Sequence, residues 1–263
     1  MQAEPATAPG VRLAGGTANH GRVFRVGDTV RRPRGAYTDA VHALLGHFEG
    51  RGFEGVPRAR GVTADTEVLS YVSGSAATEP LDGWALTPEA LHSVGRLLAE
   101  FHRASAGFDG SALRWQRPVP ARWRGDLVTH NDANPGNVIF RDGRAVALID
   151  FDLAAPGTAA FDLAVTACFW APLRAPTDVQ DSRRGQAMGR LRILLDGYGA
   201  DARLRAEVTD ACPDANDWIA GIIHDASLRG HPAFGRVWEA QAATYTRAES
   251  WLRRNRDRLQ AAV

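Results

Sequence analysis

Short apolar alternations separated by turn residues fill the first 72 positions of the chain, and longer periods near 3.6 residues fill most of the rest. "VRLAGG" (11–16) and "RVFRV" (22–26) alternate like strands, and "TVRRP" (29–33) resumes the pattern after a turn at Gly27-Asp28. Pro33 then ends it. "TDAVHALLGHFEGRGF" (38–53) has helical spacing, with Val41, Leu44, Leu45 and Phe48 on one face. "TEVLSYV" (66–72) returns to strand alternation, and "SGSAATEPLDGWALTP" (73–88) is rich in small and turn residues, as a linker would be.

Beyond it the period changes. "TPEALHSVGRLLAEFHRAS" (87–105) starts with Thr87 as N-cap and Pro88 at the first helical position, and Leu91, Val94, Leu97, Leu98 and Phe101 form its apolar stripe. "NVIF", Arg141-Asp142-Gly143-Arg144 and "AVALIDF" read as a hairpin, since Asp-Gly favours the two-residue turn that joins twisted strands. Helical segments dominate from about 185 onward, with Val237, Ala240, Thr244, Ala248 and Trp251 as the expected packing stripe of the last long one. The pattern therefore predicts a small β-rich lobe with one helix over residues 1–72 and a larger, mainly helical lobe over 73–263.

Composition narrows the function classes. With 44% hydrophobic and 23% charged residues, the 263-residue chain can bury a substantial core. Its net charge of +1 lacks the basic excess expected of a general nucleic-acid or membrane-surface binder. Cys168 and Cys212 are too few for a disulfide framework or metal cluster and read as buried thiols. "MQAEPATAPG" has no signal-peptide pattern, and "LAVTACFWAPL" (163–173) is too short to span a bilayer, so a cytoplasmic location is expected. All 31 basic residues are arginine, which rules out Schiff-base chemistry and leaves any phosphate clamp to arginine or backbone amides.

The densest chemistry is "VTHNDANPGNVIF" (128–140) followed by "ALIDFD" (147–152). A hairpin returns its second strand beside the start of the first, so Asp150 should come back near Asn137 and Asp132. One amide and two carboxylates around a point suit Mg²⁺, which takes few protein ligands and completes its shell with water and substrate phosphates. A carboxylate beside the ion can accept a proton from an attacking hydroxyl.

The segment His130-Asn-Asp-Ala-Asn-Pro-Gly-Asn137 resembles the catalytic loop of the aminoglycoside phosphotransferase family, with its H-x-D-x-x-x-x-N pattern. "ALIDFDLAAPGTAAFDLA" (147–164) is similar to that family's metal-binding segment and the helix after it. "VGRLLAEFH" (94–102) and "VLSYVSG" (68–74) resemble its preceding helix and its hinge, and the likeness weakens after about residue 175. It implies an α+β, bilobal protein-kinase-like fold and transfer of the γ-phosphoryl of ATP or GTP to a small-molecule hydroxyl. It further implies Asp132 as catalytic base, Asn137 and Asp150 as Mg²⁺ ligands, and backbone groups of Ser70, Tyr71 and Val72 around the purine. His130 would brace the loop, Asp152 would touch a second metal or brace it, and Asp162 would accept structural hydrogen bonds.

Three features depart from the family pattern. The small-lobe lysine is absent, and Arg32, on the strand face opposite Arg31, is its best-placed substitute. The partnering glutamate on the following helix is missing, with Val41 or His42 near its place, which keeps open a catalytically silent nucleotide-binding or regulatory module. "AGGTANHGRVFRV" is not a Gly-x-Gly-x-x-Gly loop, although Gly15, Gly16 and Asn19 could form a tight turn over phosphates or a plain hairpin turn. A protein kinase is disfavoured by the short chain and the lack of an Ala-Pro-Glu activation segment.

For the acceptor, Glu207, Asp210, Asp214, Asp217 and Asp225 stand in a stretch without arginine and could attract a cationic small molecule such as an aminoglycoside, or simply form a solvated face. Trp170 and Trp218 could stack on a sugar or fill the core. Oligomeric state leaves no mark in the sequence.

Overall fold

The computed structural model describes residues 10–13, 19, 21–78 and 80–263. Gly15 and Gly16, candidates above for a turn over phosphates or a plain hairpin turn, lie outside the described residues.

The small lobe is an antiparallel sheet of β1 (Val11–Arg12), β2 (Phe24–Val26), β3 (Thr29–Pro33), β5 (Thr66–Ser70) and β4 (Ala59–Val62), in that spatial order. Gly27, at φ 62°, makes the left-handed step of the β2–β3 turn. Helix α1 (Thr38–Gly50) packs beneath the sheet on the expected face, burying Val41, Leu44, Leu45 and Phe48. The Phe48 ring lies 5.2 Å from Phe101 and 6.5 Å from Phe151, so one apolar side chain joins the two lobes. Leu148 N also donates to Gly55 O at 2.9 Å across the same junction.

The expected linker is more ordered than its composition suggests. Within residues 73–88, β6 (Ser75–Ala76) pairs with β8 (Val138–Arg141), which pairs in turn with β9 (Arg144–Leu148). Ala77, Leu81 and Ala85 form a small buried cluster of their own. Small residues here serve close packing against the hairpin rather than free movement. The β8–β9 turn is as expected, with Asp142 at φ 50° and Gly143 at φ 71°.

In the large lobe, α2 (Pro88–Ser105) begins with Thr87 Oγ1 accepting from Ala90 N at 3.2 Å. β7 (Leu127–Thr129) pairs with β10 (Ala155–Gly157), bracketing the polar loop and the hairpin. Helix α3 (Ala159–Trp170) follows, apolar all round and nearly wholly buried, as suits the centre of a core. Around it lie α4 (Ala187–Tyr198), α5 (Ala202–Leu228), α6 (Pro232–Arg254) and α7 (Arg256–Ala262).

Helices α2 and α4 touch through glycines. A Cβ on Gly95 would stand 2.1 Å from Leu194 O, and one on Gly197 would stand 2.1 Å from His92 O. Helix α6 departs from the expected stripe: Ala248 and Leu252 are buried, but Ala240 is exposed. The chain thus has the bilobal α+β architecture of the protein-kinase-like fold, with the polar loop facing the junction between lobes. No helix among the described residues is long and apolar enough to cross a membrane.

Candidate active site

The loop after β7 is held from below by a single carboxylate. Asp162, in the first turn of α3 and fully buried, accepts from His130 N at 2.9 Å and Asn131 N at 2.8 Å. His102 Nε2 on α2 approaches the same carboxylate at 2.9 Å, and Tyr198 Oη lies 3.0 Å from His102 Nδ1. Burial alone would raise the Asp162 carboxyl, but His102 and His130 outweigh it and hold the group below its ordinary range.

Asn131 completes the anchor. It sits at φ 59°, accepts from Thr129 Oγ1 at 2.9 Å and donates to Leu153 O at 3.1 Å. An asparagine tolerates this left-handed geometry, and local hydrogen bonds fix it there.

His130 is fully buried, with Nε2 3.1 Å from Ile149 O, and Asp132 N donates to its Nδ1 at 3.2 Å. Burial lowers its pKa, opposed by Asp162, which favours a neutral ring that braces the loop. Trp170 is also fully buried, and its indole donates to Ala133 O at 2.8 Å. It lies in the floor beneath the loop, where no acceptor ring can stack on it.

The same loop delivers Asp132 with both oxygens occupied. Asn134 Nδ2 donates to Oδ1 at 2.8 Å and Asn137 Nδ2 to Oδ2 at 2.7 Å. Asn137 is carried to β8 by a short turn in which Asn134 Oδ1 accepts from Gly136 N at 2.8 Å. Ile149 N donates to Asn137 O at 2.9 Å, so the hairpin brings Asp150 alongside as the spacing implies. Burial raises the Asp132 carboxyl well above its ordinary range, against the two asparagine amides and with help from Asp150 and Asp152.

Asp150 takes the left-handed conformation at φ 62°, ψ 76°. Arg32 faces it from the small lobe, with Nη1 2.8 Å from Asp150 Oδ1 and Nη2 2.7 Å from Asp152 Oδ1. Arg31 is exposed, so the two arginines point to opposite sides of β3 as alternation requires. Burial opposes the Arg32 charge, yet Asp152, Asp150 and Glu67 together hold it firmly protonated. Burial and the neighbouring Asp150 push the Asp152 carboxyl above its ordinary range, despite Arg32 and a 2.7 Å hydrogen bond donated by Tyr37 Oη. Tyr37, His102 and Asn131 went unrecognised in the sequence because each acts through partners that the fold brings near, and Asn134 because its role lies in local turn bonds to Asp132 and Gly136.

Between the lobes lies a cleft of about 240 Å³ whose walls include Asn19, Arg32, Ser70, Tyr71, Val72, Asn137 and Asp150. At the hinge, Ser70 N donates to Arg58 O and Tyr71 N to Asp28 O, so two amides are engaged within the small lobe. Arg25 lies 3.7 Å from the Tyr71 ring centroid. Among the described residues, no three His, Cys, Asp or Glu side chains are grouped to hold a metal by themselves. The donors that fit Mg²⁺ are oxygens: the Asp150 carboxylate and Asn137 Oδ1, whose amide nitrogen is already turned to Asp132.

The acids of α5 are not bare. Arg203 pairs with Glu207 at 2.8 Å, Arg256 with Asp210 at 3.1 Å and Arg117 with Asp225 at 2.7 Å. Asp214 accepts from Trp123 Nε1 at 2.6 Å and has Arg122 at 3.9 Å. Asp217 is raised by burial, against Asn216. The arginines come from outside residues 207–225, so the charge count of that stretch could not reveal them. Trp218 is 6% exposed and donates to Pro118 O, so it too packs rather than stacks on solvent-borne ligands.

The chain is 30% identical to the trifolitoxin immunity protein of Rhizobium leguminosarum bv. trifolii over 92% of its own length and 94% of that protein's. It is 30% identical to the homoserine kinase of Rhizobium meliloti (strain 1021) over 65% of its length and 61% of the kinase's. Its fold superposes with a TM-score of 0.64 on a choline/ethanolamine kinase family protein from Mesorhizobium loti, at 16% identity, covering 97% of this chain and 92% of that one. Residues 111–194, which span the polar loop, the hairpin and α3, match the phosphotransferase enzyme family. With a relative aligned along almost its whole length, the chain belongs to the family of the trifolitoxin immunity protein, and its central segment matches the phosphotransferase enzyme family.

Proposed function

We propose that the protein is a small-molecule O-phosphotransferase that moves the γ-phosphoryl group of ATP or GTP to a hydroxyl. The observation that carries this reading is the placing of Asn137 and Asp150 at one wall of a cleft whose other wall is Arg32 and the hinge, with Asp132 hydrogen-bonded to Asn137 beside it. Asp132 accepts the acceptor's hydroxyl proton as its oxygen attacks phosphorus. Asn137 Oδ1 and the Asp150 carboxylate would hold Mg²⁺, which when bound neutralises the phosphate charge. Arg32 turns its Nη groups from the carboxylates toward phosphate oxygens, and Asn19 borders the same space. The Val72 amide, which has no backbone acceptor among the described residues, and the hinge carbonyls remain for the purine.

The acceptor class is drawn from relatives that handle small hydroxyl compounds: homoserine by one name, choline or ethanolamine by another. An aminoglycoside-like cation is less well served, because most α5 acids already face arginine. A second reading has support in the immunity protein, whose name specifies no chemistry. A silent module of this fold could give immunity by binding alone.

The test is thermal stabilisation by ATP and GTP with Mg²⁺, followed by nucleoside diphosphate release with homoserine, choline, ethanolamine and aminoglycosides. Stabilisation lost in Asp150→Ala and turnover lost in Asp132→Asn are the expected results. Nucleotide binding without turnover on any acceptor would favour the silent module.

A further inference from the structure

The small-lobe wall of the cleft contains a charged pair built across two strands. β3 and β5 run antiparallel with Arg32 directly opposite Glu67. Arg32 Nε donates to Glu67 Oε1 at 2.6 Å, while both Nη groups face Asp150 and Asp152. The other carboxylate oxygen, Glu67 Oε2, lies 3.0 Å from His42 Nε2 on α1. Glu67 is 1% exposed and Arg32 7%. A carboxylate buried this deeply persists only where its oxygens are paired, and each has a partner here.

We infer that Glu67 is the positioning residue for Arg32, and that His42 secures Glu67 from α1, which brings no glutamate to Arg32. This rests on the nucleotide-cleft reading above. The guanidinium is a rigid planar fork. Holding Nε on one edge fixes the plane and so aims both Nη groups at the large-lobe carboxylates and the phosphate space between. The pair is set by strand register, and a slip of one residue would carry Glu67 to the opposite face of the sheet. It is therefore assembled whenever the sheet is. A pair made between sheet and helix would instead depend on where the helix sits. In this chain α1 bears only the outer contact, through His42.

The experiment measures affinity for MgATP and MgGTP by calorimetry, with melting temperature in parallel, and carries forward whichever nucleotide binds the wild type. Glu67→Gln keeps the shape but removes the charge, and should weaken binding by about tenfold. In the Arg32→Ala background the same change should have no further effect, since residues acting through one another are not additive. His42→Ala should weaken binding by about threefold, and His42→Gln, which restores a donor near Nε2, should recover it. If Glu67→Gln does not fold, the His42 pair of variants carries the same test.

Unchanged affinity in a folded Glu67→Gln protein, or independent losses from Glu67 and Arg32, would overturn the inference while leaving the kinase reading intact. Absence of nucleotide binding to the wild type would overturn both together.

Discussion

The two walls of the cleft are made by different kinds of contact. On the large-lobe wall, His130, Asn131, Asp132, Asn134 and Asn137 lie within eight positions, and backbone amides anchored by Asp162 set their geometry. On the small-lobe wall, Arg32 draws its partners from residues 35 and 118 positions away, entirely through side-chain charge. The first wall is rigid because the backbone is tied down. The second is held by mutual attraction, so its strength depends on every charge remaining in place.

Substitutions can break this contrast, beginning where the effect is largest. Asp132→Asn should lower turnover by at least about a hundredfold, because the amide cannot accept the proton, with a modest fall in melting temperature as its nitrogen faces an asparagine amide donor. Equal turnover in wild type and variant, measured by nucleoside diphosphate release, would remove Asp132 from the chemistry.

Asp162→Asn strikes the anchor and should cost about 3 kcal/mol of unfolding free energy, measured in urea, since buried donors lose a charged acceptor. Its pH dependence supplies a second reading. The folded carboxyl is held below its ordinary range, so its stabilisation is complete above the unfolded value of about 4. That contribution is lost as pH falls through the lower folded value. The variant should therefore show a flatter loss of stability on acidification.

Gly197→Ala tests the scaffold behind the same wall and should cost about 2 kcal/mol, because the new Cβ meets the His92 carbonyl and the helices must part. Calorimetry that finds no loss would mean α2 and α4 separate easily. The smallest effects belong to the other wall. Arg32→Ala should weaken nucleotide binding by about tenfold, whereas Arg31→Ala, exposed on the far face, should leave it within about twofold. The reverse order would exchange the roles of the two faces of β3.

The same contrast explains what the sequence disclosed. Asp132, Asn137 and Asp150 were readable because a loop and a tight hairpin place them by short-range geometry. Asp142-Gly143 marks that hairpin without ambiguity. Glu67 was not readable as the partner of Arg32, since it stands in an ordinary strand alternation and gains its meaning only from register with β3. His102 was read as part of an apolar helix, and its contact with Asp162 requires the packing of α2 on α3. The α5 acids misled in the opposite direction, because a local charge count cannot see Arg117, Arg122 or Arg256 arriving from elsewhere.

Arg32 has one more consequence, which concerns how such a protein would be found. Reagents that survey nucleotide-using proteins by acylating an amine beside the bound phosphates need a lysine in the cleft. A guanidinium held between Glu67, Asp150 and Asp152 stays protonated and offers no such nucleophile. Under the nucleotide-cleft reading proposed above, surveys of that kind would pass over this protein even in cells that contain it in abundance, and its detection would have to rely on affinity capture.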